Sequence, residues 1–467
     1  MLEGLEISEV FISEPFKTEL FRLESEFYTA KSFELNKSFL GSEIIDFVQY
    51  GTSKELNEEF EGYPILRLNE FQSNFIGSPS KYCRIIDKST YESLRLKKDD
   101  VLICRTNGNP KFVGKSALVP KDYEYAYASY LFKVRPKKDL INASTLVTFL
   151  NSKYGRIEIE KFSMASNQVN FSPAKFREMR IPNFGKTLNE QVENLSYEAF
   201  NMLSNSQDKY SQAETLLLET LNLKDFQPSK EPVNVKNFSE SFGSSGRLDA
   251  EYYQVKYEQV VNRIISTDYD QLVNIVKIKK SIEPGSSVYA DEGLPFIRVS
   301  DYNKFGLSTP DKYLTDDFCK ENAEQIKKLK PKKETILFSK DGSVGTAYML
   351  REDADFITSG AILHLTVKDK NKIIPEYLTL ALNSKLVQMQ AERDAGGSII
   401  LHWRVSEIEK VVVPIIDFDK QREIADLVEE SFQLKKQSEH LLEVAKTAVE
   451  MAIEQDEEKA MNFIKNS

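Results

Sequence analysis

RLESEFY at residues 22–28 is answered by RLDAEYY at residues 247–253, with four positions identical and Glu/Asp, Ser/Ala and Phe/Tyr exchanged at the other three. Working outward, PILRLNEF from 64 meets PFIRVSDY from 295, which pairs Arg67 with Arg298. KDDVLICRTNG from 98 meets KKETILFSKDG from 332, FLNSK from 149 meets ALNSK from 381, and EMRIPNF from 178 meets KVVVPII from 410. The order is the same in both halves and the offset drifts only between 225 and 234. Chance similarity does not keep order in this way, so the chain is a tandem duplication of one unit.

Periodicity changes along each unit. Short β-branched or aromatic runs bounded by Gly, Pro, Asn or Asp predict strands over 65–68, 101–104, 130–134, 296–299, 335–339 and 362–367. Helical patterns follow over 144–154 and 375–390, before a short strand ending at Pro182 or Pro414. After each of these prolines the apolar period becomes 3.6, over 188–223 and 420–456, with Ser438 a polar break in the second stripe. Some 35 residues make about 50 Å of helix, and so long an amphipathic helix needs a partner along its length. The expected fold is therefore α+β, a duplicated mixed α/β domain plus long helix. The two helices are expected to pack as an antiparallel coiled-coil-like pair about a pseudo-two-fold axis. Each helix folding back on its own domain is the alternative. The expected divisions are 1–184, 185–226, 227–416 and 417–467.

A chain of 467 residues is too long for one core, and 41% hydrophobic with 29% charged residues is the composition of a folded protein. The start lacks the layout of a signal peptide and no run is apolar enough to span a membrane, so a cytoplasmic protein is expected. Cys83, Cys104 and Cys319 stand apart, as do His364, His402 and His440, which suggests neither disulfides nor a zinc site. The net charge of -10 conceals an uneven distribution. Residues 1–76 carry -9, residues 77–184 carry +10, and residues 308–416 of the second unit carry none.

Few motifs carry chemistry. GNPKFVGKS at 108–116 looks like a phosphate loop, but five residues separate its glycines where the Walker loop has four, and no helix follows. It reads better as a turn carrying Lys111 and Lys115 toward an outside partner. Neither a methyl-donor glycine motif nor a nuclease-like cluster of carboxylates and lysine is present, so the chain is not expected to be an enzyme. Glu24 with Glu26, and Asp249 with Glu251, could be metal ligands, but an Arg–carboxylate contact fixing the start of each unit is the better reading.

What remains are polar loops leaving strand ends at matching places. Arg105, Thr106, Asn107 and Asn109 sit where Ser339, Lys340, Asp341 and Ser343 sit in the other unit, and SMASNQVNF from 163 corresponds to GGSIILHWR from 396. Arg, Lys, Asn and Gln can bond guanine or adenine edges bidentately, while Ser and Thr position phosphates. The candidate DNA-binding residues are Arg105, Asn107, Lys111, Lys115, Asn167, Gln168, Asn170, Arg298, Lys340, Ser343, His402 and Arg404. Taken singly, most such positions read better as solvated turns, and His402 and Trp403 are types that more often pack than stack on a base.

Two globular units alternating with two long helices, RLDAEYY opening a unit, FSKDGSVGTA at 338–347, FITSGAILHL from 356, YLTLALNS from 377 and VVVPIIDFDKQREIADLVEES from 411 together resemble the specificity subunits of type I restriction-modification enzymes. The similarity covers nearly the whole chain, and the first unit is the more divergent. That resemblance implies two target recognition domains, each reading half of a bipartite, asymmetric sequence in double-stranded DNA. It implies helices that fix the unread spacer and dock two methyltransferase subunits, through which restriction-translocase subunits join. S-adenosylmethionine is expected on the methyltransferase partner and no cofactor on this chain. Base-reading residues vary within the family, so the resemblance designates none of them. A protein-assembly adaptor and a recognition subunit of a related phage-defence methylation system are the other readings.

Overall fold

The computed structural model describes residues 25–30, 33–35, 37–52, 54–163, 169–231, 233–396 and 400–467, with residues 11 and 13. Two compact units divide the chain, residues 1–204 with 434–467, and residues 205–433. Both boundaries fall inside the long helices Lys186–Thr220 and Phe418–Glu454, whereas the divisions read from sequence follow the ends of the elements.

In the first unit a six-stranded sheet runs in the order Ile45–Tyr50, Leu131–Pro136, Val101–Cys104, Ser116–Leu118, Phe75–Ile76 and Phe71–Gln72. A three-stranded sheet centred on Tyr63–Leu66 lies in the same unit, and Ser38–Leu40 pairs antiparallel with Arg180–Pro182, with Ser38 opposite Pro182. The central strand Val101–Cys104 is buried at all four positions, as expected of a strand covered on both faces.

The second unit repeats the plan. Val276–Lys280, Ile362–Val367, Ile336–Ser339 and Ala347–Met349 form one sheet, and Tyr269–Gln271 pairs antiparallel with Val412–Pro414, with Tyr269 opposite Pro414. A second four-stranded sheet includes Leu294–Ile297 and Ile357–Thr358. In both units, then, the strand ending in proline returns to the unit's opening strand before a long helix begins. Pro suits that place because it lies at the end of an edge pairing, where no further amide is required.

Two helical stretches depart from the sequence reading. Residues 144–154 and 375–390 were each expected as one helix. Instead Ala143–Asn151 is followed by Lys153–Ser163, and Pro375–Asn383 by Lys385–Asp394. The break in each case is the serine of the Asn-Ser-Lys motif. Ser152 and Ser384 leave the helical backbone with ψ of 166° and 155°, and their hydroxyls donate to the carbonyls of Phe149 and Ala381 at 2.7 and 2.6 Å. A serine bonding its own backbone competes with the helix it ends.

Leu188, Val192 and Ala199 of the first long helix share the first unit's core with Leu442, Ala445, Ala448 and Val449 of the second long helix. In the second unit Tyr210, Ala213, Leu217 and Leu221 share a core with Ile424 and Val428. Ser438, the polar break in the stripe, is buried and donates its hydroxyl to the Ala199 carbonyl at 2.7 Å. The C-terminal segment 417–467 is two helices rather than one, because Asp456 caps a separate helix, Glu457–Asn466. Among the described residues no helix is long and apolar enough to cross a membrane.

Candidate nucleic-acid interface

Each unit carries one loop between antiparallel strands at the place where sequence puts the candidates. Residues 105–115 join Val101–Cys104 to Ser116–Leu118, and residues 340–346 join Ile336–Ser339 to Ala347–Met349. Gly114 donates to the Cys104 carbonyl at 2.7 Å and Gly345 to that of Ser339 at 2.8 Å. Both glycines are left-handed, with φ of 79° and 82°, and a Cβ at either would meet a helix side chain, Ile159 or Gln388.

Behind the loops the same clamp recurs. The Asn151 amide accepts from the Ser116 amide and donates to its carbonyl, and Asn383 does the same to Ala347. Five residues after each clamp stands a residue that holds the loop's backbone. Arg156 donates to the carbonyls of Val113 and Lys111 at 2.7 and 3.2 Å, and Gln388 to that of Gly345 at 2.7 Å. A second segment closes the frame. Phe171 donates its amide to the Arg105 carbonyl and Trp403 to that of Lys340, both at 2.8 Å, while Thr106 bridges Asn170 and Asp341 bridges His402. Phe171 and Trp403 are fully buried, so each loop rests on an aromatic floor. These bonds match Asn170–Phe171 with His402–Trp403, and they match Arg105 with Lys340 and Thr106 with Asp341, one residue away from the pairing read from sequence. Sequence reasoning passed over Asn151, Asn383, Arg156 and Gln388, although the identical asparagine in FLNSK and ALNSK was a usable signal.

In the first unit the Arg105 guanidinium lies 5.2 Å over the Tyr50 ring, and its Nε is buried without a hydrogen-bond partner. Asn107 and Asn109 shape the loop, accepting from the amides of Asn109 and Lys111. Lys111 and Phe112 are exposed at its tip. Lys115 does not project as sequence suggested. It is partly buried with its ammonium 5.7 Å from the Phe112 ring, and burial pushes its pKa down. Asn170 is partly buried, and among the described residues its Oδ1 has no hydrogen-bond partner. Asn167 and Gln168 lie outside the described residues.

The candidate cations of the second unit differ in having acids of their own unit beside them. Lys340 pairs with Asp341 at 2.5 Å, and the Nδ1 of His402 donates to the same carboxylate. Arg404 bonds Glu407 at 2.5 Å and closes the start of the short helix Val405–Ile408. Arg298 bonds Asp301 and approaches Asp311, as its counterpart Arg67 bonds Glu70, so both arginines fix the turn after their strand. Ser343 is exposed, and its carbonyl accepts from Ser339 and Thr346. Outside the loop, Arg247 of RLDAEYY is bidentate to Asp249 and donates to the Asp394 carbonyl, the Arg–carboxylate anchor expected there. Arg22 and Glu24 of the matching motif lie outside the described residues, as does the Glu26 side chain. Among the described residues no group of His, Cys, Asp and Glu could hold a metal ion.

The duplicated α+β chain repeats one loop frame and changes the side chains at its tips. Residues 269–444 match the family model of the type I restriction modification DNA specificity domain. The chain is 27% identical over 140 residues to the type I restriction enzyme StySPI specificity subunit of Salmonella potsdam, and 26% identical over 140 residues to the EcoKI specificity subunit of Escherichia coli K12. Each match covers 30% of this chain and 30% of the relative, so it spans under a third of the length of either relative. The type I restriction-modification S subunit of M. genitalium aligns over 89% of this chain and 94% of its own, at 13% identity and a TM-score of 0.39. Residues 269–444 are thus similar in sequence to the DNA specificity domain of type I restriction-modification systems.

Proposed function

We propose that this chain is a non-catalytic subunit that reads a bipartite, asymmetric sequence in double-stranded DNA. Residues 1–184 and 227–416 act as its two target recognition domains. The observation that carries the reading is the repeated loop frame with different tips. Asn151 and Asn383, Gly114 and Gly345, and Phe171 and Trp403 do the same work in the two units. By contrast Arg105, Thr106 and Asn170 stand where the other unit has Lys340, Asp341 and His402. One frame with two sets of tips suits two unlike half-sites, contacted at base edges and phosphates.

The two long helices pair antiparallel and set the unread spacer between the half-sites. Support comes from within each unit, where Ser438 bonds Ala199 in one, and Ser431 bonds Ser206 while Lys209 pairs with Glu430 in the other. The helices also dock two methyltransferase subunits, which bind S-adenosylmethionine and through which restriction-translocase subunits join. The test is to co-express the chain with its methyltransferase subunit and map the methylated positions in the host chromosome. A gapped two-part motif that vanishes when this chain is omitted is expected; methylation unchanged by its omission sinks the reading.

A further inference from the structure

The two loops occupy the same place in the same frame, yet their cations are in opposite electrostatic states. Among the described residues no carboxylate pairs with Arg105, Lys111 or Lys115, whereas Lys340 and His402 share Asp341, Arg404 holds Glu407, and Arg298 holds Asp301. An ion pair within the loop cancels most of the field that a distant phosphate would feel, so the second loop presents little net charge. The first presents a concentrated one, within a stretch, residues 77–184, that carries a net charge of +10.

Lys115 adds an independent observation. Among the described residues no carboxylate pairs with its ammonium, which is partly buried against Phe112, and Arg156, beneath the same loop, donates to the backbone carbonyls of Val113 and Lys111. Desolvation lowers the pKa of both groups, opposed at Arg156 by the charge of Glu160 but at Lys115 by no carboxylate among the described residues. A cation held out of water without an anion is relieved when an anion arrives. Lys111, exposed at the tip a few residues away, sits on a turn that Asn109 and Arg156 hold rigid, so little ordering cost attends binding there.

We infer that the two units divide the work of binding unequally, the loop 105–115 forming a clamp on the phosphodiester backbone that supplies most of the salt-dependent affinity, while the loop 340–346 contributes selectivity with little net charge. This inference rests on the DNA-reading function proposed above. Neutral contacts at the second loop come from groups oriented by the ion pairs. Asp341 fixes the His402 ring by its Nδ1, and His402 and Ser343 are both exposed.

The test measures binding of the full chain to a 40-base-pair duplex of arbitrary sequence as sodium chloride is raised from 50 to 300 mM. Each phosphate contact contributes a slope of about -0.9 in log K against log salt. Lys111→Ala with Lys115→Ala is expected to flatten the slope by about 1.8, and Lys340→Ala with Arg404→Ala to change it by less than about 0.5. Lys111→Glu, at an exposed position where folding is not at risk, is expected to flatten it as well. In the opposite sense Asp341→Asn, which removes the acid from Lys340 and His402, steepens it by up to about 1. Equal flattening from both loops, or none from the first, overturns the inference and leaves the DNA-reading function standing. No binding at 50 mM overturns it too, and the mapped methylation motif then decides separately whether the chain reads DNA with its partner.

Discussion

Asn383 holds Ala347 by both of its backbone groups, accepting from the amide at 3.0 Å and donating to the carbonyl at 2.8 Å. Ala347 opens the edge strand of its sheet, so the clamp completes with a side chain what a neighbouring strand would otherwise provide. Asn383→Leu leaves both groups partly buried and unpaired. We expect a loss of about 2–3 kcal/mol in urea unfolding.

Gly345 and Gly342 are both left-handed, but only Gly345 is crowded. A Cβ there comes within 2.9 Å of the Gln388 amide and 3.3 Å of Ala391, whereas Gly342 meets nothing within 4 Å. Gly342→Ala is expected to cost about 1 kcal/mol from backbone conformation alone. Gly345→Ala costs more, displaces Gln388 from the loop, and weakens DNA binding as well as stability. Thermal melts and duplex titration of the two variants side by side check the order; equal losses count against the frame.

His364 is buried beside Thr358, whose hydroxyl it meets at 2.8 Å, and burial lowers its pKa to about 4. The unfolded chain therefore takes up a proton near pH 6.5 that the folded chain refuses until about pH 4. Stability is full above about pH 6.5 and falls as pH drops through that window, by at most about 3 kcal/mol at 1.36 kcal/mol per pH unit. His364→Gln should flatten that stretch of the stability–pH curve, measured by urea unfolding between pH 4 and 7. A slope unchanged by the substitution assigns the acid sensitivity elsewhere.

Ser206 and Ser431 mark a point at which both long helices can be lengthened together, since the Ser431 hydroxyl donates to the Ser206 carbonyl. Four residues inserted at each add about 6 Å of helix, close to two base pairs of duplex. Methylation mapping should then return the same two half-sequences with a spacer about two base pairs longer. Altered half-sequences at constant spacing would refute the helices as a ruler.

Much of the architecture was legible because duplication leaves ordered matches and long helices leave a long period. Pro182 and Pro414, the 3.6-residue stripes and the strand 101–104 could each be read from local pattern alone. The helix breaks at Ser152 and Ser384 could not, because Asn-Ser-Lys fits a continuing helix and the serine's bond to its own backbone decides otherwise. Nor could the state of the candidate cations. Asp341 reaches His402 across 61 positions, a pairing that only the loop frame creates. Arg156 and Gln388 share a task without sharing a chemistry, so comparing the two halves letter by letter passes over them.

That shared task has an evolutionary side. The clamp, the left-handed glycine and the aromatic floor lie beneath the tips, and Arg156 with Gln388 demonstrates that even a supporting strut can be exchanged between copies. Mutation at the tips therefore runs little risk of unfolding the domain that carries them. On the function proposed above, such a protein acquires a new target by small steps at Lys111 or His402 while its scaffold is inherited intact, and each half changes its vocabulary without consulting the other.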